Sequence, residues 1–329
     1  MLMHAPVMAL LLVALLGAAA LTAASVFAVG LLRDWDVNQG SRRQIELERR
    51  SELVATVLAQ VLWLQGAAVL LMVYNADRIA PLLVGAMCAF GSFNASAWGF
   101  PALYAKLALF FGAVTWLALH RADVLGRDQP LTRRKYRLLL ALLPLALADA
   151  ALTLAYFTDL QPDTLTSCCG SAFHPEREGI AAHASALAPD AALWLLAAAL
   201  PLMLAWGWAA GRFPKLAVGY GAASLGFLVV GLVAVVAAVS PYVYESPHHH
   251  CPFCLLKHKY GYIGFALYLP LFGGAAAGLA SGALSLRPPA SLQALLPAHT
   301  RRLRWMSMAG FVTFALLAAV LVGRSGLRI

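Results

Sequence analysis

PVMALLLVALLGAAALTAASVFAVGLL, Pro6 to Leu32, runs for 27 residues without a charged side chain. A helix of that length is about 40 Å long at 1.5 Å per residue, more than the roughly 30 Å hydrocarbon core of a bilayer. Its apolar residues are continuous, whereas a barrel strand alternates, and in lipid only a helix or a closed barrel satisfies its own backbone. No basic leader precedes it and no small-residue cleavage pattern follows, so it reads as a retained helix rather than a signal peptide.

The same texture repeats along the chain. Of 329 residues, 61% are hydrophobic and 12% charged, with a mean hydropathy of +0.76, too apolar for a soluble domain. The net charge of +9 is scattered over short loops beside apolar runs, so it reports membrane topology rather than an anionic partner, and nucleic acid is not expected. The bias toward Ala, Leu and Arg fits a GC-rich bacterial genome and hence a bacterial cytoplasmic (inner) membrane.

The expected fold is all-α, a polytopic integral membrane helical bundle of about nine transmembrane helices in one domain over 1–329. The spans fall near 6–32, 52–73, 79–98, 102–120, 138–157, 190–210, 218–239, 260–284 and 305–322. Arg121 to Arg137 is the most basic loop, with Arg121, Arg127, Arg133, Arg134, Lys135 and Arg137, which places it in the cytoplasm. Nine spans then put the N-terminus inside. Arg33 to Glu52, expected as a short surface helix of mixed charge, conflicts with this scheme: it would lie outside despite Arg33, Arg42, Arg43, Arg49 and Arg50.

Two polar loops carry the chemistry. Ser246 to Tyr260, SPHHHCPFCLLKHKY, packs Cys251, Cys254, His248, His249, His250 and His258 between apolar runs. Cys168-Cys169 lies in another loop, with His174 and His183 following. Two spans separate the loops, and a chain that crosses a bilayer twice returns to its starting side. Both cysteine pairs are therefore expected on one face, the extracytoplasmic one.

Cys251-Pro-Phe-Cys254 has the spacing that lets one helical turn hold a dithiol, and it precedes the eighth expected helix. A helix N-terminus and neighbouring imidazolium groups would both favour a thiolate at Cys251, and Pro252 suits a first turn. A metal site is the competing reading. Cys251, Cys254 and His258 at i, i+3 and i+7 would share a helical face, the His triplet could add a ligand, and thiolates with imidazoles suit zinc or copper. Adjacent Cys168 and Cys169 span too short a peptide for an ordinary disulfide, so each is expected to pair elsewhere, in a thiol relay, an interloop disulfide or shared metal ligation. Cys88 lies within an expected span with no obvious partner and reads as a packed apolar thiol.

The tetrapeptide resembles the C-P-x-C of thioredoxin-like oxidoreductases. The plan of two cysteine pairs on one membrane face is similar to that of the periplasmic disulfide-generating quinone reductases and vitamin K epoxide reductase relatives, which are shorter bundles, so the likeness is one of mechanism. It implies a membrane thiol-disulfide oxidoreductase in which Cys251 attacks, Cys254 resolves and Cys168 or Cys169 form the second pair, exchanging electrons with a quinone and with a periplasmic thiol protein. The alternative is a copper- or zinc-binding transporter or metallocentre assembly factor served by a metallochaperone; a third is a non-catalytic subunit of a membrane complex.

Polar groups at hydrocarbon depth complete the expectations. Lys106 and Asp149 are ionisable and could form an ion pair, either functional or fixing helix packing. Gln60, Gln65 and Asn94 suit interhelical hydrogen bonds, and Gly273, Gly274, Gly278 and Gly282 suit close helix packing. Trp98, Tyr104, Tyr242, Tyr244, Tyr260 and Tyr262 suit an aromatic belt or a quinone pocket.

Overall fold

The computed structural model describes residues 3–36, 41–126, 128–162, 164–166 and 180–327, with the side chains of 180–182 outside that description. The loop holding Cys168, Cys169, His174 and Arg177 falls outside the described residues. Among those described the chain is helical and contains no strand, only an isolated bridge between Val84 and Leu165. In chain order the α-helices are α1 (Ala5–Asp34), α2 (Arg42–Ile79), α3 (Ala89–Asn94), α4 (Gly99–Val124), α5 (Thr132–Asp159), α6 (Ile180–Ala186), α7 (Pro189–Arg212), α8 (Lys215–Ala234), α9 (Ser240–Tyr244), α10 (Ile263–Ser285) and α11 (Leu296–Arg324).

Among the described residues, eight helical stretches are long and apolar enough to cross a membrane: α1, α2 extended to Leu82, α4, α5, α7, α8 continued through α9, α10 and α11. This is a multi-pass membrane architecture with one candidate span fewer than expected. The missing one is 79–98. There the chain makes a 3-10 turn at Ala80–Leu82, a bend, and the six-residue α3. Pro81 and Gly85 account for the break. Proline removes a helix donor and disfavours continuation, although α5, α7 and α10 run through Pro144, Pro201 and Pro270; at this break Gly85 also takes φ +89° where a Cβ would lie 2.5 Å from the Thr166 carbonyl oxygen, a conformation open mainly to glycine.

The chain divides into two compact units. The first comprises Met1–Asn75, Ser96–Gln161 and Arg287–His299. Leu21, Ala24 and Leu31 of α1, Leu58 and Leu62 of α2, and Leu109, Trp116, Tyr136 and Leu139 of α4 and α5 form its core. Some of the hydrogen bonds across the helices end on backbone acceptors. Gln65 Nε2 donates to Val13 O at 3.1 Å and Asn75 Nδ2 to Pro6 O at 2.9 Å, whereas Gln60 is exposed.

Arg33 to Glu52 is not a separate surface helix, because Arg42 onward is already α2. Arg133 donates to Trp35 O at 2.6 Å and Gln129 to Glu52 at 3.1 Å. The Arg-rich segment and the most basic loop therefore gather at one end of the unit, which removes the conflict that a ninth span created.

Two buried ion pairs link α4 and α5. At the basic end, Asp123 accepts from Leu131 N at 2.7 Å, Thr132 Oγ1 at 2.8 Å and Lys135 Nζ at 2.6 Å, which caps the otherwise unsatisfied start of α5. Nearer the other end, Lys106 Nζ lies 2.9 Å from both carboxylate oxygens of Asp149, with both side chains fully buried.

The second unit comprises Ala76–Ala95, Pro162–Leu286 and Thr300–Ile329. Small residues set its packing. A Cβ on Gly221 would lie 2.9 Å from Gly282 Cα, and one on Gly282 would lie 2.8 Å from Gly221 Cα, so α8 and α10 touch backbone to backbone. Gly274 packs on Phe311 and Gly278 on Ser224, while Gly273 faces open space. Tyr220 on α8 donates to Ser307 Oγ on α11 at 2.9 Å.

Substituting Gly282→Ala should force α8 and α10 apart and lower stability by about 1–3 kcal/mol, the usual cost of overpacking, with Gly273→Ala near neutral; thermal unfolding in detergent compares them. For the intramembrane pair, Asp149→Leu should cost roughly 3–5 kcal/mol because it strands a buried ammonium, and adding Lys106→Met should recover most of that loss. Equal melting of the single and double variants would contradict it.

Candidate functional site

The second unit gathers three sulfur atoms. Cys88, Cys251 and Cys254 place their Sγ atoms within 4.8 Å of one another, and all three residues are buried. Cys88 Sγ and Cys251 Sγ are 3.5 Å apart although 163 residues separate them in the chain. That is non-bonded contact, well beyond the roughly 2.05 Å of a disulfide.

Each chain segment reaches the cluster for a local reason. Cys88 sits in extended backbone just before α3, in the bend that Pro81 and Gly85 create. Its loop is fastened by Thr166, whose amide donates to Val84 O at 3.0 Å and whose hydroxyl donates to Gly91 O at 2.9 Å. Ser92 donates to Ala76 O at 2.6 Å. Lys257 donates to Met87 O and lies 3.9 Å from Asp77. Phe253, between the two later cysteines, packs against Phe90 and Phe93 with ring centroids 6.2 and 5.7 Å apart, so α3 and the CPFC turn share an apolar contact.

The CPFC turn is held by tyrosine hydroxyls. Tyr244 at the end of α9 donates to Cys251 O at 2.6 Å, and Tyr268 on α10 donates to Pro252 O at 2.8 Å. The turn itself hangs on a deviation in the preceding helix. Val235–Val239 is π-helical, with the Ser240 amide bonded to Val235 O. In that register the next amide, that of residue 241, would bond Val236 O, but Pro241 has none. His250 Nδ1 takes the acceptor instead, at 3.0 Å. A carbonyl oxygen only accepts, so Nδ1 carries the hydrogen, and the histidine acts as a tether for the residue before Cys251. Single-turn π segments often lie at functional sites.

The structure separates the residues proposed from sequence. Cys251 and Cys254 come together, joined by Cys88, which sequence reading had set aside as a packed apolar thiol. Among the described residues no histidine joins the three sulfurs: His248 is exposed, His249 packs its ring at a tilt against Tyr244 with centroids 4.2 Å apart, and His258 is exposed with its ring against Tyr262. The expected helical face of Cys251, Cys254 and His258 does not form. Cys254–Leu256 and His258–Tyr260 are separate 3-10 turns split by extended Lys257. Gly261 and Tyr262 then adopt left-handed backbone, and the helix begins only at Ile263, so neither thiol lies at its N-terminus. Cys251, the expected attacking thiol, is 0% exposed. Lys106 and Asp149 belong to the first unit, and Cys168 and Cys169 lie outside the described residues.

Chemically, three adjacent buried thiols can act in two ways. Ionised, they form an anionic pocket that is costly to bury without a cation and that matches a soft metal ion. Neutral, any two in contact can be oxidised to a disulfide. The signal that could have drawn Cys88 in was Pro81 and Gly85, which mark 79–98 as a poor span. No protein-family model, curated protein or solved structure matches this chain.

Proposed function

We propose that this multi-pass membrane protein handles a soft metal ion, Cu(I) or Zn(II), at Cys88, Cys251 and Cys254, as a metal transporter or metallocentre assembly factor. The observation that carries the reading is the mutual 4.8 Å limit on three buried sulfurs from two distant chain segments. Tetrahedral ligands about 2.3 Å from zinc lie about 3.8 Å from each other, which three sulfurs at these separations reach with little movement. Thiolates are the donors that favour Cu(I) and Zn(II) over harder ions.

Charge supports an orientation. In the second unit Arg212, Lys215, Arg301, Arg302 and Arg304 flank the helix ends away from the cysteine loops. By the positive-inside rule that end faces the cytoplasm, and the thiols face the other side of a bacterial inner membrane. Two candidate spans, α7 and α8 with α9, separate the Cys168-Cys169 loop from the CPFC turn, so the parity argument for a shared face applies to eight spans as it did to nine. A periplasmic metallochaperone is the partner this reading calls for.

Thiol redox is the second reading, favoured by the 3.5 Å contact of Cys88 and Cys251. In it the two thiols lose two protons and two electrons to a lipid-soluble quinone, leaving one disulfide and a quinol, with Cys168 and Cys169 passing the oxidation to a periplasmic thiol protein. Burial of Cys251 weighs against direct attack on a protein partner.

The test is elemental analysis of the full-length protein purified under reducing conditions and offered Cu(I) or Zn(II). The metal reading expects one ion per chain, lost in Cys88→Ser as completely as in Cys251→Ser or Cys254→Ser. Metal retained in Cys88→Ser refutes the three-sulfur site. Absence of metal, with a Cys88–Cys251 disulfide formed by a soluble quinone and located by peptide mapping, establishes the redox reading in its place.

A further inference from the structure

The Arg-rich end of the first unit holds a site that owes nothing to the thiols. We propose that the cavity there, together with the groove that meets it between α1 and α2, binds one glycerophospholipid of single negative charge.

The two hollows adjoin and differ in character. The cavity, about 400 Å³, is lined by Arg33, Asp34, Asp36, Arg43 and Gln44 with Arg133 of α5. The groove, about 330 Å³, shares Asp34 and Arg43 with it. Its apolar lining is Val26, Phe27, Gly30 and Leu31 of α1 and Leu47 of α2, and Glu46 and Arg50 complete it. Both volumes fall in the roughly 300–1,000 Å³ range of small-molecule sites. A charged compartment that opens into an apolar one at the end of a membrane span matches the two halves of a lipid. The phosphate takes the first and the upper part of an acyl chain the second.

The sequence builds this arrangement. Pro6 to Leu32 carries no charged side chain, and Arg33 and Asp34 follow at once, so α1 changes from apolar to charged where groove meets cavity. On α2, Arg43, Glu46, Leu47 and Arg50 stand at i, i+3, i+4 and i+7, which is one helical face. Gly30 keeps the groove open, since a Cβ there would meet nothing within 4 Å.

Charge selects the headgroup. Arg43 is paired with Asp34 at 2.5 Å and Arg50 with Glu46 at 2.6 Å. Arg133 donates to a neutral acceptor, Trp35 O, at 2.6 Å. Among the described residues neither Arg133 nor Arg33 has a carboxylate within ion-pair distance. Across the two hollows four guanidinium groups face three carboxylates, an excess of one positive charge. One phosphodiester cancels it, and arginine binds phosphate in a bidentate fork. A zwitterionic head adds no net charge and leaves the excess standing. Basic pockets between membrane helices are known to hold anionic headgroups.

The experiment is native mass spectrometry of the full-length protein, released from detergent with equimolar phosphatidylglycerol and phosphatidylethanolamine of identical acyl chains. The expected result is one phosphatidylglycerol per chain, retained about fivefold over phosphatidylethanolamine, the worth of one guanidinium near an anionic lipid. Arg133→Gln keeps a donor for Trp35 O and should remove about that factor, whereas Arg137→Gln, an exposed arginine of the same helix outside the cavity, should not. Gly30→Leu fills the open groove and should abolish retention without lowering the unfolding temperature; should it fold poorly, the two arginine variants decide the matter. Equal retention of the two lipids overturns the headgroup assignment. Retention unchanged in a folded Gly30→Leu, or reduced as much by Arg137→Gln as by Arg133→Gln, overturns the site.

Discussion

Inside a bilayer a backbone carbonyl or amide has no water to bond, and each one left unmatched costs several kcal/mol. The eight candidate spans meet that constraint by being helices. The informative places are where the chain stops being helical among apolar surroundings, because there a side chain or a neighbouring loop must supply the missing partner. Around the cysteine cluster this happens repeatedly. Thr166 serves Val84 O and Gly91 O, Lys257 serves Met87 O, His250 serves Val236 O, and Tyr244 and Tyr268 serve Cys251 O and Pro252 O. One histidine that looked like a candidate metal ligand, His250, is occupied with the backbone.

Buried charge imposes the same discipline in the first unit. Asp123 with Lys135 and Asp149 with Lys106 are each too costly to bury unpaired. One of them also closes a helix end, which accounts for its three donors and fixes the turn between α4 and α5. The other closes no helix end and joins α4 to α5 at mid-length, with Lys106 Nζ 2.9 Å from both carboxylate oxygens.

Small residues perform the remaining work of close approach. Gly221 against Gly282 lets two backbones meet without intervening side chains, which strengthens dispersion contacts where no hydrophobic drive acts between helices. Spacing had marked Gly274, Gly278 and Gly282, and these do pack on neighbours, but Gly273 at the start of the same series does not. A period identifies which residues could share a face. It does not state which face meets another helix.

The amino-acid order by itself determined the helical membrane class and most candidate span positions, because length, apolar content and charge placement act locally and each is read one segment at a time. It misjudged 79–98, where an apolar composition outweighed Pro81 and Gly85, and with that error Cys88 was placed inside a helix instead of beside Cys251. It also placed a helix start at the CPFC turn, since nothing local shows that Lys257 is extended and that Gly261 and Tyr262 are left-handed. Only the tertiary structure decided which thiols meet, which histidine is a tether, and which lysine each buried aspartate meets. Those outcomes depend on contacts between residues as far as 163 positions apart, and spacing along one chain segment carries no information about them.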